Sequence, residues 1–305
     1  MMSDDTVTRI ATALPSEGNK FYHAFDIDED AARSAYHYEQ DAEFYYLHTG
    51  GEWNVYSCLL WKDGFSITQA QEKKLDKLAE MLGLQRGMHI LDVGCGWGGP
   101  LVYLCKKYGV TGHGIAVSPK QIAAATERAA RYGVAARFEL THWQNLPEVE
   151  TYDAIYSDEV IVHFNDLGGF FAKCHKLLKY SGLMAHKELH LTHTRHGDLG
   201  PISEHVNAIF GYTGNYVTLH RELQLLEENG FQLKSVYEIP LAPHYHRTVD
   251  TWLSNTFEHR ARLKEIAGEQ FYKDFRAYLK VVRFVFTRTE NMLLHIINSR
   301  KVNGG

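Results

Sequence analysis

The chain has 305 residues, of which 45 % are hydrophobic, and a formal net charge of −5. This length and composition predict one large globular domain or two small ones, with enough apolar side chains for a core. The acidic balance excludes a general nucleic-acid footprint, and no apolar run is long enough to predict a membrane span. Residues 1–19 lack a secretory apolar region and the four cysteines lack CxxC spacing, so we expect a cytoplasmic protein without disulfides or structural zinc.

The first 65 residues are predicted to form a polar tail followed by an aromatic cap. Aromatic side chains are dense between residues 21 and 65, and such a segment must pack against the rest of the chain. Ser66 and Thr68 are candidate N-caps for a helix over about residues 68–83, because the apolar residues that follow them have helical spacing.

From residue 88 onward the pattern alternates between strands and helices. Strands are predicted over 89–93, 112–117, 136–140, 152–157, 182–189, 231–238 and 293–298, and helices over 98–108, 119–132, 166–179, 218–229 and a long stretch at 246–287. This alternation predicts a doubly wound, mostly parallel α/β sheet with helices on both faces. We assign the core to 66–190 and 231–305 and interpret 190–230, rich in His and Gly, as an inserted lid.

A cluster of glycines follows the first strand of this predicted core. Gly94, Gly96 and Gly99 satisfy the GxGxxG pattern, and a helical stretch begins at once after them. Strand, glycine turn and helix N-terminus together form an anion- and nucleotide-binding corner. An NAD site needs an acid at the end of the second strand, which residues 115–118 lack. Asp92, two residues before Gly94, instead favours an S-adenosylmethionine (SAM) site, and a glycine turn without a ligand is the alternative.

Four segments together carry a resemblance to a known family: Tyr-Ser-Cys-Leu-Leu-Trp at 56–61, the glycine corner, Val-Ser-Pro-Lys-Gln at 117–121 and His-Tyr-His-Arg-Thr at 244–248 followed by Trp252. With these segments the chain, from about Tyr36 to its C-terminus, resembles the cyclopropane-fatty-acid-synthase-like group of class I SAM methyltransferases. The resemblance implies SAM as cofactor and a Rossmann-like fold with an N-terminal helical cap and inserted lid helices. The cofactor-binding residues that it implies are Tyr56, Ser57, Asp92, Gly94, Gly96, Ser118, Gln121 and Trp143.

The segment after the fourth predicted strand departs from the cyclopropane synthases. Those enzymes carry a Glu immediately before the His of this segment, within a bicarbonate site that removes a proton, whereas Val162 precedes His163 here. Glu188 also replaces an Ile of that site. The positions that still match are Cys58, His186 and Tyr245. Lipid cyclopropanation therefore becomes a rival interpretation and not the first one.

Glu159 lies four residues before His163, as in the Glu-x-x-x-His segment that it resembles in sterol C-methyltransferases. Geranyl diphosphate C-methyltransferase has a Glu at the same place and is also similar over 206–210 and 219–222. These enzymes methylate an alkene through a carbocation, from which a carboxylate removes a proton. The resemblance implies that Glu159 is the general base and that His163, His186 and Tyr245 are further catalytic residues. A strand-end carboxylate without a catalytic role is the alternative.

We therefore expect a SAM-dependent methyltransferase acting on an alkene in an isoprenoid or other apolar small molecule. The alternatives are a small-molecule N- or O-methyltransferase of natural-product biosynthesis and a cyclopropane-forming lipid enzyme. Arg195 and the neighbouring histidines, together with Lys187 and Arg221, are candidates for holding an anionic head group. No protein metal site is expected, because neither Cys nor a close carboxylate cluster accompanies the histidines. No nucleic-acid partner is expected, membrane contact is not indicated, and the sequence gives no oligomeric state.

Overall fold

A seven-stranded sheet forms the centre of the molecule. The computed structural model describes residues 40–164, 166–193, 216–288 and 291–302 and a few residues between 27 and 38. The strands are β1 (His89–Val93), β2 (Thr111–Ala116), β3 (Ala136–Leu140), β4 (Tyr152–Asp158), β5 (Leu178–Leu191), β6 (Phe231–Ile239) and β7 (Met292–Lys301). Their order is β3-β2-β1-β4-β5-β7-β6, with β7 antiparallel to both of its neighbours and the other pairs parallel. The predicted mostly parallel, doubly wound sheet is confirmed.

Helices cover both faces of this sheet. They are α1 (Ala42–Thr49), α2 (Ile67–Met81), α3 (Gly99–Tyr108), α4 (Pro119–Tyr132), α5 (Leu167–Leu177), α6 (Leu219–Glu228), α7 (Leu241–Glu258), α8 (Arg260–Ala267) and α9 (Glu269–Arg288). Ser66 begins α2 with a capping box, in which its hydroxyl accepts from Gln69 N–H and the Gln69 side chain accepts from Ser66 N–H. Among the described residues, no helix combines the length and apolar character needed to cross a bilayer.

The aromatic cap packs against the helices of the C-terminal region. Phe44 on α1 lies with its ring centroid 5.0 Å from that of Phe275 on α9, and both side chains are fully buried. Arg128 on α4 binds the loop that follows α1, because its Nη1 donates to the Glu52 carbonyl at 2.8 Å. This packing places residues 53–58 against the carboxyl edge of the sheet, where ligand crevices form in such folds.

Two predicted boundaries differ from the structure. The prediction that the fifth strand begins at Gly182 is wrong, because β5 starts at Leu178. Leu178 pairs with Tyr152 on β4, the register then shifts, and Leu183 pairs with Ala154. The strand therefore continues through an irregularity that the sequence pattern presents as a break. The long helical stretch divides into α7, α8 and α9. Most of the predicted lid, residues 194–215, lies outside the described residues.

Candidate active site

The glycine corner forms a sharp turn at the carboxyl end of β1. Gly94 and Gly96 have φ of 81° and 52°, in the left-handed region that favours glycine. A Cβ on Gly94 would overlap Val160 and lie 2.6 Å from its Cγ2, whereas a Cβ on Gly96 would meet no atom within 4 Å. The backbone at Gly96 therefore borders open space, and the loop offers room for a ligand to approach it closely.

A pocket lies over this corner, with about 990 Å³ of space between its lining residues when the part open to solvent is included. The predicted cofactor residues that line it are Tyr56, Ser57, Asp92, Gly94, Gly96, Gln121 and Trp143. Ser118 does not line it and instead caps α4, its Oγ accepting from Gln121 N–H at 3.4 Å. The glycine floor of the pocket and its buried acid fit an adenosine-bearing cofactor.

Asp92 is the buried acid of this pocket. Burial raises the pKa of its carboxyl to about 7, although a hydrogen bond from the Tyr156 hydroxyl to Oδ2, 2.6 Å long, opposes the shift. The nearby Asp158 carboxylate raises that pKa further. A buried acid of this kind is suited to pair with a cationic or hydroxyl group of a bound ligand. That group supplies the polar contact that water supplies to an exposed acid.

Asp92→Asn is expected to stabilise the ligand-free protein at neutral and higher pH. The folded pKa of about 7 exceeds the ordinary 3.8, so the folded state keeps a proton that the unfolded chain releases, and stability falls as pH rises between these values. Asparagine has no such proton to lose. The difference in unfolding temperature, variant minus wild type, should therefore increase as the pH is raised from about 5 to about 8. An equal change in the exposed-site control Asp250→Asn, or no change with pH, would contradict the assignment.

Glu159 follows the last residue of β4 and faces the same pocket. Its φ is 57°, an unusual value for this residue, and its N–H donates to the Lys187 carbonyl at 2.7 Å. Its Oε1 accepts from Cys58 N–H at 2.9 Å and is ion-paired with Lys187 Nζ. Its Oε2 accepts from the Tyr245 hydroxyl at 3.4 Å. The predicted base and Tyr245 are thus in contact, although α7 and β4 are far apart in sequence.

The interpretation of Lys187 as a ligand for an anionic head group is wrong. Its side chain is fully buried, pairs with Asp158 at 2.9 Å and with Glu159, and donates to the Cys58 carbonyl at 3.1 Å. Burial alone would lower the pKa of Lys187, but Asp158 and Glu159 raise it above its ordinary value. Its charge is therefore already balanced within the protein. Arg195 lies outside the described residues.

The remaining predicted catalytic residues occupy different places. His163 lines the pocket in a short 3₁₀ turn, Ile161–His163. The His186 side chain is instead bonded to Glu222 on α6, with Nε2 2.5 Å from Oε1, and His190 lies 3.2 Å from the other oxygen of that carboxylate. Burial would raise the pKa of Glu222, but the two histidines hold it well below its ordinary range. His186 therefore contacts Glu222 and not Glu159.

Sequence reasoning missed two charged groups near the base, Asp158 and Lys74, and gave no role to a third, Glu188. Asp158 accepts from the Ser57 hydroxyl at 2.8 Å and is ion-paired with Lys74, whose side chain is fully buried. The carboxyl of Glu188 accepts from Val162 N–H at 3.3 Å, and burial raises its pKa well above the ordinary value. Lys74 carried a usable signal, because it lies between Gln71 and Leu78 on the face of α2 that helical spacing predicts to be buried.

No group of three or more His, Cys, Asp or Glu side chains is arranged to hold a metal ion within the part of the chain that the structure describes. The four cysteines are free and buried, so none forms a disulfide.

Comparisons with known proteins show the family to which this chain belongs. The family model for mycolic acid cyclopropane synthetase matches residues 25–296. Cyclopropane-fatty-acyl-phospholipid synthase from Escherichia coli K12 is 27 % identical over 257 residues, which are 82 % of this chain and 63 % of that enzyme. The chain therefore spans less than two thirds of the length of this relative.

Solved structures share the fold. The cyclopropane synthase MmaA2 from Mycobacterium tuberculosis has a TM-score of 0.83 at 25 % identity, covering 91 % of this chain and all of that one. Geranyl diphosphate C-methyltransferase from Streptomyces coelicolor A3(2), solved with Mg²⁺, geranyl diphosphate and S-adenosylhomocysteine (SAH), has a TM-score of 0.66 at 16 % identity, covering 90 % and 98 %. The family match spans most of the chain, including the glycine corner and the pocket above it. The chain belongs to the mycolic acid cyclopropane synthetase family.

Proposed function

We propose that this protein is a SAM-dependent methyltransferase that methylates a carbon of an alkene in an isoprenoid or similarly apolar small molecule, with Glu159 as the general base. The observation that carries the proposal is the placement of this carboxylate at the pocket wall. Its Oε1 is occupied by Cys58 N–H and Lys187, whereas Oε2 has, among the residues that the structure describes, only the long contact with Tyr245. The second oxygen is thus the one suited to receive a proton from an acceptor.

The proposed reaction requires only a weak base at Glu159. Bound SAM supplies an electrophilic methyl group. The π electrons of the acceptor would form the new C–C bond to the methyl carbon while the S–CH3 bond breaks and its electron pair stays on sulfur, giving S-adenosylhomocysteine. A carbocation would remain on the neighbouring carbon of the acceptor. Glu159 takes a proton from a carbon beside the cation, and the released C–H electron pair forms the new double bond. Because such a C–H group is strongly acidic, a carboxylate paired with Lys187 is a sufficient base.

Aromatic side chains around the pocket support a cationic intermediate on an apolar acceptor. Tyr38, Tyr56 and Trp97 line the pocket, with the Tyr38 ring centroid 5.8 Å and the Tyr56 ring centroid 6.5 Å from that of Trp97. Aromatic faces stabilise a nearby cation by about 0.5–2 kcal/mol each. Burial raises the pKa of the Tyr38 phenol above its ordinary value, so this wall stays uncharged.

Cyclopropane formation on a lipid is the second candidate, and the position of Glu188 favours it. Its carboxyl lies against Val162 N–H, beside the position where the cyclopropane synthases that this chain resembles carry their Glu. A carboxyl group is therefore near that place, although it comes from a different strand. The two candidates differ in the proton that is removed: from the acceptor skeleton in alkene methylation, from the transferred methyl group in cyclopropane formation.

The acceptor class is tested by supplying the purified protein with trideuteromethyl SAM and one acceptor at a time. The acceptors are geranyl diphosphate or farnesyl diphosphate with Mg²⁺, vesicles of dioleoyl phosphatidylglycerol with and without bicarbonate, and a secondary aromatic amine. We expect transfer to an isoprenoid diphosphate to exceed transfer to the others by about tenfold or more, a barrier difference of about 1.4 kcal/mol. Transfer confined to the lipid or to the amine would contradict the proposal.

A further inference from the structure

Two lysines and two acids form a buried network beside the candidate base. This network consists of Lys74 on α2, Asp158 at the end of β4, Glu159 directly after it and Lys187 on β5. Lys187 pairs with both acids and Lys74 pairs with Asp158. Both lysine side chains are fully buried, and the acids are 10 % and 11 % exposed. Two positive and two negative charges leave the network neutral.

Stability alone is a poor reason for such a network. Removing four charged groups from water is unfavourable, and well-packed apolar side chains often replace buried ion pairs without loss of stability. Burial accordingly lowers the pKa of Lys74, although its partner Asp158 opposes this. Removing one partner only, in contrast, leaves a buried charge uncompensated. The positions of these groups therefore depend strongly on one another.

Lys187 binds both the backbone and the side chain of Glu159. Its carbonyl accepts the Glu159 N–H at 2.7 Å and its Nζ binds Oε1. The same Nζ donates to the Cys58 carbonyl at 3.1 Å, while Cys58 N–H donates to Oε1 at 2.9 Å. These bonds hold Glu159 in the left-handed region at φ 57°, which is unfavourable for a residue with a side chain. With Oε1 fixed, Oε2 is directed towards Tyr245.

The other end of the network reaches the cofactor part of the pocket. Lys74 Nζ donates to Ser57 Oγ at 2.7 Å, and Ser57 Oγ donates to Asp158 Oδ2 at 2.8 Å. Ser57 and Asp158 both line the pocket. One set of bonds therefore connects a predicted cofactor-binding residue with the candidate base.

We infer that Lys187 is the positioning residue of Glu159 and that Lys74 positions Ser57 and Asp158, so that one neutral network fixes the base relative to the cofactor. The inference rests on the proposed function, because it takes Glu159 as the base. A carboxylate displaced by about 1 Å can lower a rate by about 10²-fold, which makes the positioning measurable.

The test is a double-mutant cycle of Lys187→Met and Glu159→Gln, with Lys173→Met as control. Lys173 is also largely buried, but its Nζ donates to the Gln144 carbonyl outside the network. Lys187→Met should lower the unfolding temperature, and the double variant should recover most of the loss because the network is neutral again. A crystal structure of Lys187→Met with SAH should show the Glu159 carboxylate displaced from Cys58 N–H.

Kinetics and binding separate positioning from a general structural role. With geranyl diphosphate as acceptor, Lys187→Met should lower kcat by about tenfold or more while KM and SAH affinity stay within about threefold. Lys74→Met should weaken SAH affinity more than Lys187→Met does. If Lys187→Met does not fold, Lys187→Arg, which keeps the charge but moves it, should show the same displaced carboxylate.

The outcomes that overturn the inference differ from those that overturn the proposed function. Additive losses in the cycle, or an unmoved Glu159 carboxylate in the Lys187→Met structure, would remove Lys187 as the positioning residue even if Glu159→Gln is inactive. Full turnover by Glu159→Gln would overturn the proposed function itself, and the positioning role with it.

Discussion

Glu159→Gln is expected to lower methyl transfer to an isoprenoid diphosphate by about 10²–10⁴-fold, the usual contribution of a general base. Glutamine has nearly the same volume, and its amide oxygen is still able to accept from Cys58 N–H, the bond that Oε1 makes in the native protein. It has no oxygen that takes up a proton at neutral pH. Affinity for SAH, measured by calorimetry, should therefore stay within about threefold of the wild-type value while kcat falls.

Glu188→Gln is the matched control for this variant. It also replaces a buried carboxyl group near the base with an amide, but the Glu188 oxygens accept from Val162 N–H and Leu189 N–H. In alkene methylation with Glu159 as base, Glu188→Gln retains most of its turnover. Retained turnover in Glu159→Gln together with its loss in Glu188→Gln would transfer the base assignment to Glu188 and favour cyclopropane formation.

Gly99→Ala is expected to destabilise the protein and to abolish SAH binding. A Cβ at Gly99 would overlap the Trp53 carbonyl oxygen and lie 2.7 Å from its carbonyl carbon. Because both atoms belong to the backbone, no side-chain rotation relieves the overlap, and the aromatic cap must move away from the N-terminus of α3. Overpacking of this kind costs about 1–3 kcal/mol, occasionally more, and we expect a value at the upper end. Urea unfolding and SAH calorimetry measure the two effects.

Gly168→Ala is the control, because it places the same methyl group in a helix without overlap. Its Cβ would lie 3.5 Å from Leu225 Cδ2, an ordinary contact. Alanine is preferred over glycine inside helices by up to about 1 kcal/mol, so this variant should be as stable as wild type or more so. Equal stability of the Gly99 and Gly168 variants would show that the aromatic cap does not pack directly against Gly99.

Much of the fold was predictable from local pattern. The segment His89–Val93 is a strand in both the prediction and the structure, because four buried residues follow His89 and a glycine turn ends the run. The helix Pro119–Tyr132 was equally clear: Ser118 caps it, Pro119 begins it and Gly133 ends it. Such signals depend on neighbouring residues only, so the sequence carries them in full.

The charged residues around the base were not predictable in the same way. A lysine in a sequence is expected at the surface, since burial requires a partner that only the fold supplies. Lys187 finds its partners in Asp158 and Glu159, which lie on the neighbouring strand β4 and the loop after it. The sequence also does not show that the backbone at residues 57–58 lies beside Lys187 and Glu159.

One missed contact was, in contrast, within reach. Successive residues of a strand point to opposite faces of the sheet, so His186 and Lys187 on β5 cannot both face the pocket. Lys187 contacts Glu159 on one side, and His186 contacts Glu222 on the other. Applying this alternation to the predicted strand would have shown that only one of the two was able to support the base.

The number of deuterons retained from trideuteromethyl SAM tests the central claim most directly. If Glu159 removes a proton from the acceptor skeleton, the methylated isoprenoid carries all three deuterons, as a methyl group beside a new or shifted double bond. Mass spectrometry and NMR of the product distinguish this from a product with two deuterons, in which the transferred carbon itself has lost one. A cyclopropane with two deuterons would contradict alkene C-methylation and establish ring formation in its place.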